Sequence, residues 1–167
     1  MLDPNAPAVQ RVREASRGLV RELGFMEDTL AGTGLSASAV FAIIELGSRG
    51  SMTARDLAIA LRLEKSTVSR LLKALVKKGY VIERRDPDDA RRKRLHLTER
   101  GLSAFAEITR SASERVASAL AALSEREVKC VVDGLEAYSE ALRLTARPKG
   151  VERAPDSVDV RRRGAPG

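Results

Sequence analysis

From Ala8 to Leu30 the apolar residues Val9, Val12, Leu19, Leu23, Met26 and Leu30 recur at alternating steps of three and four, with Ser16 at the one missing position. This spacing predicts a helix about 35 Å long with a narrow apolar seam, suited to its own core or to a partner helix. Gly18 and Gly24 weaken the helix without breaking its pattern. The segment GTGLSASAVFAIIELGSRG then places Val40, Phe41, Ile43, Ile44 and Leu46 between a loop and the stop signals Gly47 and Gly50. A helix apolar on most of its circumference belongs in the middle of a fold. TARDLAIALRL offers Thr53 as an N-cap and sets Leu57, Ala58 and Leu61 on one face, with Leu63 following. After a break at Arg62 to Glu64, KSTVSRLLKALVKKG aligns Val68, Leu71, Leu72, Leu75 and Val76 on one face, with Gly79 as its stop. The opposite face carries Lys65, Ser66, Thr67, Ser69, Arg70, Lys73 and Lys77.

The period then changes. YVIERR reads as a short strand, and KRLHLT, where Leu95 and Leu97 alternate with Arg94 and His96, reads as a second. Asp86, Pro87 and Asp88 in the connecting DPDDARR suit a type I turn, so the pair is expected to form a β-hairpin. From Thr98 a helix is expected to run to about Leu123, with the stripe Leu102, Phe105, Ile108, Ala112, Val116, Leu120 and Leu123. Ser124 and Glu127 form a capping box that opens the last helix, with the stripe Val128, Val131, Leu135, Tyr138 and Leu142. Beyond Arg147 the periodicity stops and Pro, Gly and Arg gather. The expectation is one domain over residues 1–147 and a disordered basic tail over 148–167, with Arg161 to Arg163 as a solvated end.

Aromatic residues are 3% of the chain and Trp is absent, so the core must be built from Leu, Ala, Val and Ile, which favours packed helices over a β-sandwich. No basic start is followed by an apolar targeting core, and no window approaches the roughly 20 apolar residues of a membrane span, so a cytoplasmic protein is expected. A single Cys130 and a single His96 can form neither an internal disulfide nor a soft-ligand metal site, and no metal or cofactor is expected. Cys130, beside Val131 and Val132, reads as a buried structural thiol, and His96 as a hairpin surface residue. Charge adds a direction. Residues 65–100 hold 12 Lys/Arg against 5 Asp/Glu while the rest of the chain holds 18 of each, so the whole net charge of +7 lies in that segment. A field so concentrated attracts a polyanion.

Two short helices followed by a basic hairpin make a winged helix-turn-helix, in which the apolar face of the second helix is held and its polar face is free for a major groove. Ser66, Thr67 and Ser69 permit close approach to phosphates or base edges, Arg70 reaches a guanine or a phosphate, and Lys73 and Lys77 act as point charges. An ordinary solvated helix surface would carry similar residues; the basic hairpin at the right distance tips the balance to DNA. The expected fold is mostly α with a small β-hairpin: a winged helix-turn-helix lobe over about 35–100, plus N- and C-terminal dimerisation helices.

From about Val9 to Leu144 the chain resembles the MarR family of transcription regulators, most specifically in LAIALRLEKSTVSRLLKALVKKGYVIERR and DPDDARRKRLHLTERG. The family's acidic residue, spacer and arginine in the wing fall on Asp89 and Arg91, and the start of its following helix on Leu97, Thr98 and Gly101. The resemblance implies that Arg91 enters a minor groove and that Asp89 holds it in place, and a narrow groove's negative potential attracts such an arginine. Arg84, Arg92 and Lys93 of the same basic hairpin are expected beside them on DNA. Two positions depart from the family: Arg62 stands where the turn often has Gly, and Glu64 where an Asp or Ser would cap better. The resemblance also implies a homodimer through Val9, Val12, Leu19, Leu23, Val128, Val131, Leu135, Tyr138 and Leu142, binding a pseudo-palindromic operator on double-stranded DNA, as a repressor. A small-molecule effector is a further partner in similar proteins. Phe25, Phe41, Phe105 and Tyr138 could line its pocket, but each lies on an apolar face where core is the default.

Two rival classes are weaker. MarR-like domains also occur joined to an acetyltransferase, but no Gly-rich cofactor loop follows Leu144, and no carboxylate pair points to catalysis. A nonspecific architectural DNA-binding protein would share the charge and the salt dependence without preference among sequences.

Overall fold

A computed structural model describes residues 3–24, 33–86, 89 and 91–145 of the chain. The chain divides into two compact units, Met1–Ser124 and Glu125–Gly167. The first contains α1 (Pro7–Glu22), α2 (Ala37–Arg49), α3 (Ala54–Leu61), α4 (Lys65–Lys77), β1 (Val81–Arg85), β2 (Lys93–Leu97) and α5 (Glu99–Leu120); the second contains α6 (Glu125–Thr145). The turn expected at Pro87 and Asp88, the seam positions Met26 and Leu30, Phe25, and the tail beyond 147 lie outside the described residues.

The core forms where the sequence pattern is most apolar. Val40, Ile43 and Leu46 of α2 meet Leu57 of α3, Val68 and Leu75 of α4 and Leu95 of β2, all essentially without solvent contact. Val81 of β1 and Ile108 of α5 close the cluster, and Phe105 packs against it. At roughly 1.5–3 kcal/mol for each fully buried aliphatic side chain, these residues hold the four helices α2 to α5 and the hairpin together.

β1 and β2 pair antiparallel, with Val81 opposite Leu97, Glu83 opposite Leu95 and Arg84 opposite Arg94. Met52 adds a bridge on the far side of β2: its amide donates to the Leu95 carbonyl at 3.4 Å and its carbonyl accepts from the Leu95 amide at 2.8 Å. Thr98 caps α5 as the sequence predicts, accepting from the Gly101 amide at 3.1 Å. Its hydroxyl donates to the Gly79 carbonyl at 2.6 Å, which ties the start of α5 to the end of α4. A Cβ at Gly101 would collide with the Tyr80 carbonyl and with Leu97, so only glycine lets α5 approach the hairpin this closely.

Three expectations need correction. The first helix ends at Glu22, not near Leu30: Leu23 is its C-cap and Gly24 follows at φ 77°, its amide donating to the Arg21 carbonyl. A glycine free to adopt the left-handed region overrides a continuing apolar seam. Val76 does not join the buried face of α4; it is 42% exposed while Val68, Leu72 and Leu75 are buried. Cys130 is exposed, because α6 buries none of its residues in the single chain.

Candidate nucleic-acid interface

Thr53 and Asp56 fix the start of α3 through a reciprocal capping box. The Thr53 hydroxyl accepts from the Asp56 amide at 3.1 Å, and the Asp56 carboxylate accepts from the Thr53 amide at 3.2 Å and its hydroxyl at 2.7 Å. The hydroxyl's hydrogen bond, then the amide's, hold the Asp56 carboxyl below its ordinary value. At its other end α3 closes on Arg62 at φ 53°, the one non-glycine residue with positive φ among those described. The Arg62 amide donates to the Ile59 carbonyl and the Leu63 amide to the Ala58 carbonyl, the paired bonds of a Schellman turn. α4 ends on the same motif, with Gly79 in place of the arginine. The family-type turn therefore forms despite Arg62, at a cost of about 1 kcal/mol for the left-handed residue. Glu64 provides no side-chain cap to α4, as its chemistry suggests.

This turn presents α4 with its two faces divided. Val68, Leu72 and Leu75 point into the core, while Lys65, Ser66, Ser69, Arg70, Lys73 and Lys77 are exposed and Thr67 is half-buried. Among the described residues, Lys65, Arg70, Lys73 and Lys77 make no side-chain hydrogen bond or ion pair. Their charges face solvent uncompensated, which is what an approaching phosphate backbone requires.

The hairpin sorts its cations into two groups. Arg92 Nε meets Asp89 at 3.2 Å, Lys93 Nζ meets Glu83 at 2.9 Å, and Arg94 Nε meets Asp86 at 2.6 Å. Arg84, Arg85 and Arg91 are exposed and have no such partner among the described residues. Asp89 acts on Arg91 through the backbone: its carboxylate accepts from the Arg91 amide at 3.0 Å and pairs with the guanidinium of Arg92 instead. The carboxylate thus shapes the turn and leaves the Arg91 side chain free to extend. Exposed pairs such as Lys93 with Glu83 are worth at most about 1 kcal/mol and yield readily to a stronger anion.

Four charged residues in this region make contacts or take positions that the sequence did not assign to them. Arg85 is an exposed hairpin cation, and Arg100 lies over the Tyr80 ring with its guanidinium carbon 4.6 Å from the centroid. Asp86 and Arg94 form a pair whose further partner, Ser51, is 43 positions away. Charge density pointed to this region, but only the fold brings that serine to it. No helix among the described residues is long and apolar enough to cross a membrane.

Residues 35–93 match the model of the MarR family. A helix-turn-helix transcriptional regulator of Mycobacterium bovis is 29% identical over 130 residues, covering 77% of this chain and 89% of that protein. FabT of Streptococcus pneumoniae, solved in complex with DNA, has a TM-score of 0.74 at 25% identity, over 82% of this chain and 99% of its own. BpsR of Bordetella bronchiseptica, whose DNA binding is regulated by 6-hydroxynicotinic acid, has a TM-score of 0.61 at 22% identity, over 78% of this chain and 98% of its own. The helix-turn-helix and the hairpin wing fall on the same residues that match the MarR family model, and the fold is the one these solved regulators share.

Proposed function

We propose that the protein binds double-stranded DNA sequence-specifically as a homodimer and regulates transcription, as a repressor, from a pseudo-palindromic operator. The observation that carries this reading is the exposed face of α4, whose cations have no side-chain partner among the described residues while its other face is locked into the core. Ser66, Thr67, Ser69 and Arg70 read the major groove, with Lys65, Lys73 and Lys77 on phosphates. Arg91 reaches the minor groove from a turn shaped by Asp89, with Arg84, Arg92 and Lys93 towards the backbone.

A second copy of the chain supplies what the apolar seams lack. Val12, Leu19 and Leu23 of the N-terminal seam are 37–46% exposed, and Val131, Leu135, Tyr138 and Leu142 of α6 are 38–49% exposed. Val9 and Val128, half-buried, continue the two seams. Closed two-fold symmetry buries such stripes on both copies at once and sets two α4 helices about 34 Å apart, one turn of DNA. Modulation of DNA affinity by a small ligand fits the same reading; the DNA binding of BpsR is regulated by 6-hydroxynicotinic acid.

Selection of DNA bound by the full chain from a pool of random duplexes tests the proposal. The reading expects an enriched inverted repeat with half-site centres about 10 base pairs apart. An unenriched pool would support an architectural DNA-binding protein instead.

A further inference from the structure

Asp86, at the base of the wing, is 8% exposed, the one buried charged residue among those described. A carboxylate in such a place is tolerated only with strong partners. Arg94 supplies one from the opposite strand: its Nε donates to Asp86 Oδ2 at 2.6 Å and its Nη1 donates to Ser51 Oγ at 3.0 Å. Ser51 directly precedes Met52, which is hydrogen-bonded to Leu95. The Arg94 charge also reaches Asp56 in the capping box of α3. On the wing side, the Asp86 amide donates to the Arg92 carbonyl at 2.9 Å, the Arg92 amide donates to the Asp89 carbonyl at 2.8 Å, and the Asp89 carboxylate holds the Arg91 amide. Bonded groups thus run from Ser51, in the α2 to α3 connection, through Arg94 and Asp86 to the backbone of Arg91.

We propose that Asp86 and Arg94 are positioning residues: their ion pair, braced by Ser51, fixes the angle at which the wing leaves the helical lobe and so delivers Arg91 to DNA. The proposal rests on the DNA-binding reading above. Arg94, with its guanidinium engaged, acts through Arg91, whereas a simple phosphate contact would act alone. Charge-assisted hydrogen bonds of this length are among the stronger polar contacts, so the pair is stiff enough to hold an orientation.

A double-mutant cycle on the full chain separates the two roles. Affinity is measured for the DNA that the wild type selects, with Asp86→Asn, Arg91→Ala and both together. Asp86→Asn is expected to weaken binding about 10-fold in the wild-type background and less than about 2-fold once Arg91 is alanine, because coupled residues are non-additive. An equal loss in both backgrounds, or none in either, overturns the proposal. Amide hydrogen exchange on the free protein gives a second, DNA-independent reading. Asp86→Asn should speed exchange at Arg91 and Arg92 at least about 10-fold while the amides of α4, which report folding, stay unchanged. Ser51→Ala removes only the outer brace and should fall between wild type and Asp86→Asn. Unchanged exchange at Arg91 and Arg92 in a folded variant overturns the bracket even if the wild type shows no preference among DNA sequences, an outcome that by itself defeats only the DNA reading.

Discussion

Thr53 and Asp56 close the first turn of α3 on each other, and the consequence is measurable at a single carboxyl group. Replacing Thr53 by alanine removes the hydroxyl that both accepts from the Asp56 amide and donates to its carboxylate. Thr53→Ala should cost about 1 kcal/mol of stability and return the Asp56 carboxyl towards its ordinary value, read by NMR titration. Because the folded value is depressed, the cap contributes above the ordinary carboxylate range, and its contribution fades as pH falls through the folded value. A titration of Asp56 unaltered by the substitution contradicts this account. The Thr53 cap was legible in sequence, since a local motif needs only neighbours. The ion pair of Asp86 with Arg94 was not, because Ser51 is brought to it by long-range folding. Asp89 is the acidic neighbour that the resemblance implies for Arg91, and its carboxylate accepts from the Arg91 amide rather than from the side chain. Arg91→Ala should therefore weaken DNA binding about 10-fold and leave the thermal midpoint nearly unchanged, since its exposed side chain has no partner among the described residues.

The elements were legible where periodicity and stop signals agreed. α2, α3, α4, both strands and the N-terminal cap of α5 sit where the pattern puts them. They disagreed in α1, where the seam continues but Gly24 turns the chain, and the glycine prevailed. α5 shows the limit of a stripe: Ile108 is buried while Leu102 and Val116, on the same predicted line, are 53% and 51% exposed. A stripe identifies the apolar face of a helix, and the length of the neighbouring elements decides how much of it is covered in one chain. The tight contacts of helices were likewise invisible beforehand. At Gly47 a Cβ would run into the ring of Phe105, which joins α2 to α5. Gly47→Ala should lower stability by about 1–3 kcal/mol in chemical denaturation, the usual cost of overpacking a core. A variant as stable as the wild type would mean that α2 and α5 can separate freely.

For the whole molecule, the proposed arrangement of two copies on one duplex would cover the seams left open in one chain and use the charge gathered in one segment. Leu135 is 48% exposed, so Leu135→Arg should leave the fold of the single chain intact while placing charge in the proposed dimer seam. Sedimentation should find the wild type as a dimer and the variant shifted to monomer, with unaltered helical circular dichroism and weakened DNA binding. An undisturbed dimer removes α6 from the interface. The net charge of +7 lies in residues 65–100, so DNA affinity of either kind should fall steeply with salt, and salt dependence alone does not identify a regulator. The most direct measurement is the affinity of the full chain for its selected inverted repeat and for random duplex of equal length, both at about 150 mM salt. A preference of about 1,000-fold or more for the repeat is expected, reduced in Arg70→Ala. Equal affinity for the two duplexes would contradict it.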